Sequence, residues 1–209
     1  MILAFSLALL LADPIPAPAE PPAEQASPIS LAEAGRAIGA GRLDQARAIL
    51  GTAIAAGAKG EPVDRLLADL ALASGEYGQA LALYRQLLVG HPDEALLLER
   101  GGLAALRLGE LAEATAMLDR ATRQPDAGWR AWNARGVAAD RHGRWDEADA
   151  AYARAAELDP ERAEILNNQG WSLMLRGRWQ DALAAFERAA SINEKLPRLA
   201  NNLELARAA

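Results

Sequence analysis

The chain of 209 residues contains two histidines, His91 and His142, and no cysteine. A histidine becomes a catalytic base when a nucleophile and an orienting group lie beside it, and a metal site needs several ligands that converge. His91 stands before Pro92 and His142 before Gly143, so both fall at turns and read as solvated linker residues. The missing cysteines exclude disulfides, thiolate zinc sites and thiol nucleophiles. No serine stands in a glycine-flanked nucleophile elbow. Gly39-Ala40-Gly41 is better read as a helix end than as a phosphate cradle, because no strand precedes it. Asp146, Glu147 and Asp149 read as ordinary solvated helix charges, partly paired with arginine. These residues point to a non-enzyme with no cofactor and no metal.

Composition narrows the class further. The chain is 51% hydrophobic but only 5% aromatic. Its apolar content sits in Ala and Leu, which favours closely packed helices over a β-sandwich. The net charge is −6 and the pI about 5.1, which argues against a nucleic-acid partner. Absence of cysteine is compatible with an oxidising compartment.

The N-terminal run Ile2–Ala12 reads ILAFSLALLLA. It is shorter than the roughly 20 residues that a bilayer span requires. It resembles the apolar core of a secretory signal peptide, although no Lys or Arg precedes it. Asp13-Pro14 stops any helix there, and cleavage is expected after Ala12 or after Ala19. Residues 13–26 are rich in Pro, Ala and Glu and read as an extended linker. The expectation is export, to the periplasm or to association with an outer membrane.

The rest of the chain repeats. Gly41, Gly75, Gly109, Gly143 and Gly177 are spaced 34 apart, and Ala46, Ala80, Ala114, Ala148 and Ala182 follow each by five. Two unbroken columns in one phase define units starting at Ser27, Glu61, Ala95, Trp129 and Ala163. A final segment begins at Pro197. Position 8 of the unit is always small (Ala34, Ala68, Gly102, Gly136, Gly170). Position 17 is always bulky (Leu43, Tyr77, Leu111, Trp145, Trp179), as is position 24 (Leu50, Tyr84, Leu118, Tyr152, Phe186). Each unit is expected to hold two helices of about 13 residues, the first ended by the glycine in a left-handed conformation. The small residues let the helix backbones approach. Positions 17 and 24 share a helical face and are expected to fill the space between helices. Pro92, Pro125 and Pro160 mark turns between units, and Gly39, Gly51 and Gly57 weaken the helices of the first unit.

The fourth unit, WRAWNARGVAADRHGRWDEADAAYARAAELDP, carries Trp132, Gly136, Ala148, Tyr152, Ala155 and Pro160 at signature positions of the tetratricopeptide repeat family, which the chain therefore resembles. The resemblance implies an all-α, right-handed superhelical solenoid of about five helix-turn-helix repeats over 27–196, closed by a capping helix over 197–209. It also implies a concave groove lined by the first helices, where protein or peptide partners bind. The groove positions fall on Glu99, Arg100, Leu103 and Arg107 of the third unit. They fall on Arg130, Asn133, Val137, Asp140 and Arg141 of the fourth, on Asn167, Asn168, Trp171 and Met174 of the fifth, and on Asn201 and Asn202 of the closing segment. Four arginines against Glu99 and Asp140 suit an acidic or C-terminal ligand, unless they form ion pairs along the helices. Asn167 and Asn201 could bond an extended peptide backbone, whereas Asn168 and Asn202 read as structural. Trp171 is either an interface anchor or packed against the closing helix. Glu99, Leu103 and Val137 depart from the family's chaperone-binding carboxylate clamp.

The segment from Trp129 to Ala206, with ILNNQGWSLMLRGRWQDAL and PRLANNLELA, is also similar to the tetratricopeptide proteins of tight-adherence (Flp-type) pilus assembly. That resemblance implies an envelope scaffold that binds pilus-machinery components, and it allows an indirect membrane association. Alternatives are a general envelope-biogenesis adaptor and an accessory subunit of an enzyme complex.

Overall fold

The structure, a computed structural model, describes residues 28–209. The expected leader and the linker over 13–26 lie outside the described residues. Those residues form eleven helices and no strand. The pairs are α1 (Pro28–Gly39) with α2 (Leu43–Ala55), α3 (Glu61–Ala73) with α4 (Tyr77–Gly90), and α5 (Ala95–Leu108) with α6 (Leu111–Ala121). They continue with α7 (Trp129–Arg141) and α8 (Trp145–Leu158), then α9 (Ala163–Leu175) and α10 (Trp179–Ile192); α11 (Leu199–Ala208) follows alone.

The invariant glycine ends each first helix for a local reason. All five have positive φ, between 68° and 84°. The next amide then folds back onto the helix: Arg42 donates to the Ala37 carbonyl, Glu76 to Ala71, Glu110 to Ala105, Arg144 to Ala139 and Arg178 to Leu173, each at 2.9 Å. This is a Schellman closure, and it needs a residue without a Cβ penalty at its centre.

Packing within a pair follows from positions 8, 20 and 24. The five position-20 alanines are fully buried. A Cβ added to Gly136 or Gly170 would stand 2.6 Å from the ring of Tyr152 or Phe186, and at Gly102 it would stand 2.7 Å from Leu118. The bulky position-24 side chain therefore lies directly on the small position-8 backbone. Position 17 differs from expectation. Leu43, Tyr77, Leu111 and Trp145 are only half-buried, and Trp179 is 41% exposed. They stand in the first turn of each second helix, where Leu43 and Leu111 still pack against the core, but it is position 24 that is fully buried between the helices.

Neighbouring pairs stack unequally. Consecutive first helices touch along the whole array, α1 with α3, α3 with α5, α5 with α7, α7 with α9 and α9 with α11. Second helices meet only first helices and α11. Closer spacing on one side of a stack makes that side the concave one. α11 packs on α9 and α10 through Leu199 and Ala206. The result is the expected helical solenoid of five pairs with a closing helix.

Candidate functional site on the inner face

The first helices present one row of side chains per unit along the inner wall. At its N-terminal end the row is ionic. Arg65 clamps Glu94 with two hydrogen bonds of 2.5 and 2.6 Å and donates to Glu61 at 2.7 Å. Hydrogen bonds from Arg65 hold the Glu94 carboxyl below the usual carboxylate range; Glu61 is lowered by its bond to His91 and then by Arg65. His91 is thus not a free linker residue, since its Nε2 meets Glu61 at the start of the same unit at 2.8 Å. His142 likewise meets Thr115 at 3.2 Å.

Arg100 corrects an expectation. Its guanidinium is ion-paired to Asp69 of the preceding unit, and the Tyr84 hydroxyl donates to the same carboxylate at 2.7 Å. Arg100 is therefore spent on joining units, as the ion-pair alternative required. Asp140 is a second correction. It is buried, and its two oxygens accept from Tyr152 at 2.7 Å and from Ser172 at 2.6 Å. Burial raises its pKa, and the two hydroxyls oppose that rise. Asp140 ties α7 to α8 and α9 and offers nothing to a ligand.

The remaining cations differ. Arg141 is exposed and donates to the Leu106 carbonyl at 3.2 Å. Arg107 is exposed and makes no hydrogen bond or ion pair among the described residues. Arg130 lies over the Trp129 ring, 4.6 Å from its centre, and Arg162 lies over the same ring at 4.8 Å.

Toward the C-terminus the row turns to amides. Asn168 donates to Asn133 Oδ1 at 3.1 Å, and Asn202 donates to Asn167 Oδ1 at 2.8 Å. These rungs link consecutive units, so Asn133 and Asn167 are held in place as acceptors of structural hydrogen bonds. Asn201 is exposed. Trp171 is 42% exposed despite the closing helix, and Leu175 and Leu205 are each 50% exposed. Leu103 and Val137 are half-buried, and Met174 is buried. Glu99 is only 7% exposed.

The inter-unit pairs are what residue-by-residue reading missed. Arg85 with Glu113, Arg135 with Asp119 and Arg176 with Asp149 all join residues 16 to 28 apart. Opposite charges 16 to 28 residues apart in neighbouring units were a usable signal. No group of three or more His, Asp or Glu among the described residues could hold a metal ion, and no helix there is long and apolar enough to cross a membrane. A shallow hollow between α8, α9 and α10 is lined by Asp149, Arg176, Arg178 and Asp181, which already pair with one another.

A family model described as tetratricopeptide repeat matches residues 31–95, 65–127, 99–151 and 133–197. No curated protein matches the chain. Among solved structures, the chain is similar to TTC0263, a thermophilic protein of this repeat type from Thermus thermophilus, with TM-score 0.74 and 21% identity over 87% of this chain and 98% of that one. It is similar to PilW, a widely conserved type IV pilus biogenesis factor, with TM-score 0.69 and 24% identity over 86% and 87%. It is also similar to YrrB, a repeat protein with an unusual peptide-binding site, with TM-score 0.61 and 19% identity over 89% and 93%. At such identities the likeness is one of fold.

Proposed function

We infer that this chain, which belongs to the tetratricopeptide repeat family, is a non-enzymatic scaffold that binds a protein partner as an extended segment along its inner face. The observation that carries this reading is the row of side chains that the touching first helices bring into register. Trp171, Leu175 and Leu205 stand uncovered at one end of it, with the exposed Asn201 near them. An aromatic anchor among uncovered apolar side chains, with a polar rim, has the composition of a protein-binding surface.

The partner belongs, in this reading, to an envelope machine of the pilus type. Three features support it: the apolar run Ile2–Ala12 with the Pro-rich stretch behind it, the sequence similarity to tight-adherence pilus scaffolds, and a fold shared with a pilus biogenesis factor. The test is a pull-down from native envelope extract with wild type beside Trp171→Ala and Asn201→Ala. Recovery of pilus-machinery components by wild type, and their loss from the variants, is the expected result. Equal recovery by all three places the interaction off the inner face. Fractionation showing the protein only in the cytosol ends the envelope assignment.

A further inference from the structure

The amide rungs have a gap, and the residue in the gap is a buried carboxylate. Asn133 accepts from Asn168, and Asn167 from Asn202, each donor lying 35 residues beyond its acceptor. The residue one unit before Asn133 is Glu99, and 35 beyond it stands Ala134, which has no side-chain donor. Glu99 makes no hydrogen bond or ion pair among the described residues, although it is only 7% exposed.

Arg100 and Arg130 act on Glu99 through space and oppose the burial that raises its pKa, but neither donates a hydrogen bond to it. Arg65 holds Glu94 and Glu61, Arg100 holds Asp69, and Arg130 lies on Trp129. The carboxylate is not sealed in, either: Arg144 Nε is the fully occluded side-chain polar atom that lacks a partner among the described residues, and no oxygen of Glu99 shares that state.

A buried carboxylate without a donor is costly, and a structural residue at this position would have received its rung as the next two units did. We propose that Glu99 is the anchoring acceptor for a basic side chain, Arg or Lys, of the partner segment bound along the inner face. A guanidinium or ammonium supplies the missing hydrogen-bond donors, as charge-assisted bonds. This rests on the inner-face reading above and reverses the ligand charge that the four arginines suggested. Two of those arginines, Arg100 and Arg130, are occupied by Asp69 and Trp129, whereas Glu99 is not occupied.

The experiment is selection of a phage-displayed random 12-residue peptide library on wild type, followed by binding of the best synthetic peptide to wild type, Glu99→Gln and Trp171→Ala. The expected result is a fixed basic position in the selected peptides and affinity for Glu99→Gln weaker by roughly tenfold to hundredfold. Replacing that Arg by its neutral isostere citrulline then weakens wild-type binding by a similar factor and leaves Glu99→Gln binding nearly unchanged. Glu99→Gln is also expected to melt above wild type, because a buried charge without a hydrogen-bond donor leaves the interior; a purely structural Glu99 would move the melting temperature down. Peptides without a fixed basic position, or equal affinity for Glu99→Gln, overturn the anchor while leaving the groove standing if Trp171→Ala still loses binding. If binding is indifferent to both substitutions, or no peptide is selected, the inner-face reading falls and the anchor with it.

Discussion

The N-terminal two units and the C-terminal three are built on one backbone plan with different side-chain solutions. At position 8 the first two carry Ala34 and Ala68, and the last three carry Gly102, Gly136 and Gly170. The helices of the last three pairs lie in closer contact than those of the first two. The inner wall changes in parallel, from the ionic set Arg65, Glu94, Asp69 and Arg100 to the amide rungs of Asn133, Asn168, Asn167 and Asn202. Glycine lets the position-24 side chain lie flat on the opposing helix, so along the inner wall the C-terminal units are held by close packing and amide hydrogen bonds, with the pairs Arg135–Asp119 and Arg176–Asp149 beside them. The N-terminal units depend more on paired charges that water can reach.

The largest effect should separate the two regions at a single methyl group. Gly136→Ala places a Cβ against the Tyr152 ring and should cost about 1–3 kcal/mol. Gly51→Ala, in α2, meets open space and should instead gain about 0.5–1 kcal/mol from helix propensity. Chemical denaturation of both variants checks the pair, and loss of stability in both would mean that close packing is uniform along the array. Asp140→Ala should follow, at about 1–3 kcal/mol, because the Tyr152 and Ser172 hydroxyls lose their buried acceptor. Hydrogen exchange should show the loss in α8 and α9 rather than in α3 and α4. Asn168→Ala removes one rung and should cost about 0.5–1.5 kcal/mol, read as a lower melting temperature.

The smallest effect is the acid response of the N-terminal units. The folded-state pKa values of Glu61 and Glu94 lie below the ordinary 4.5. Depressed carboxyl groups stabilise the fold above their unfolded pKa, and that contribution fades as pH falls from the ordinary value through the lowered one. Amide exchange followed downward from pH 5 should therefore loosen α3 before α9. Simultaneous loosening would show that these exposed pairs contribute little.

Much of this plan was legible in the chain. The glycine column announced the left-handed turns, and the alanine column the buried contacts, because both are local demands on residue size and φ. Position 24 was legible as core for the same reason. Position 17 was not: its bulk marks a face, and only the stacking of helices decides whether that face is covered, as Trp179 shows. The inner-face residues were found by their repeat position, but their availability was not. Arg100, Asp140 and Asn168 have the same chemistry as ligand-binding residues, and a neighbour one repeat away determines which of them is free.

The sequence by itself determined the repeat, the helix ends, the all-helical solenoid and the absence of cysteine chemistry, since each follows from the size and conformational range of single residues. The tertiary structure decided which side chains were spent and which were left over. That depends on distances between units, where a guanidinium from one helix reaches Asp69 and no hydrogen-bond donor from the next reaches Glu99.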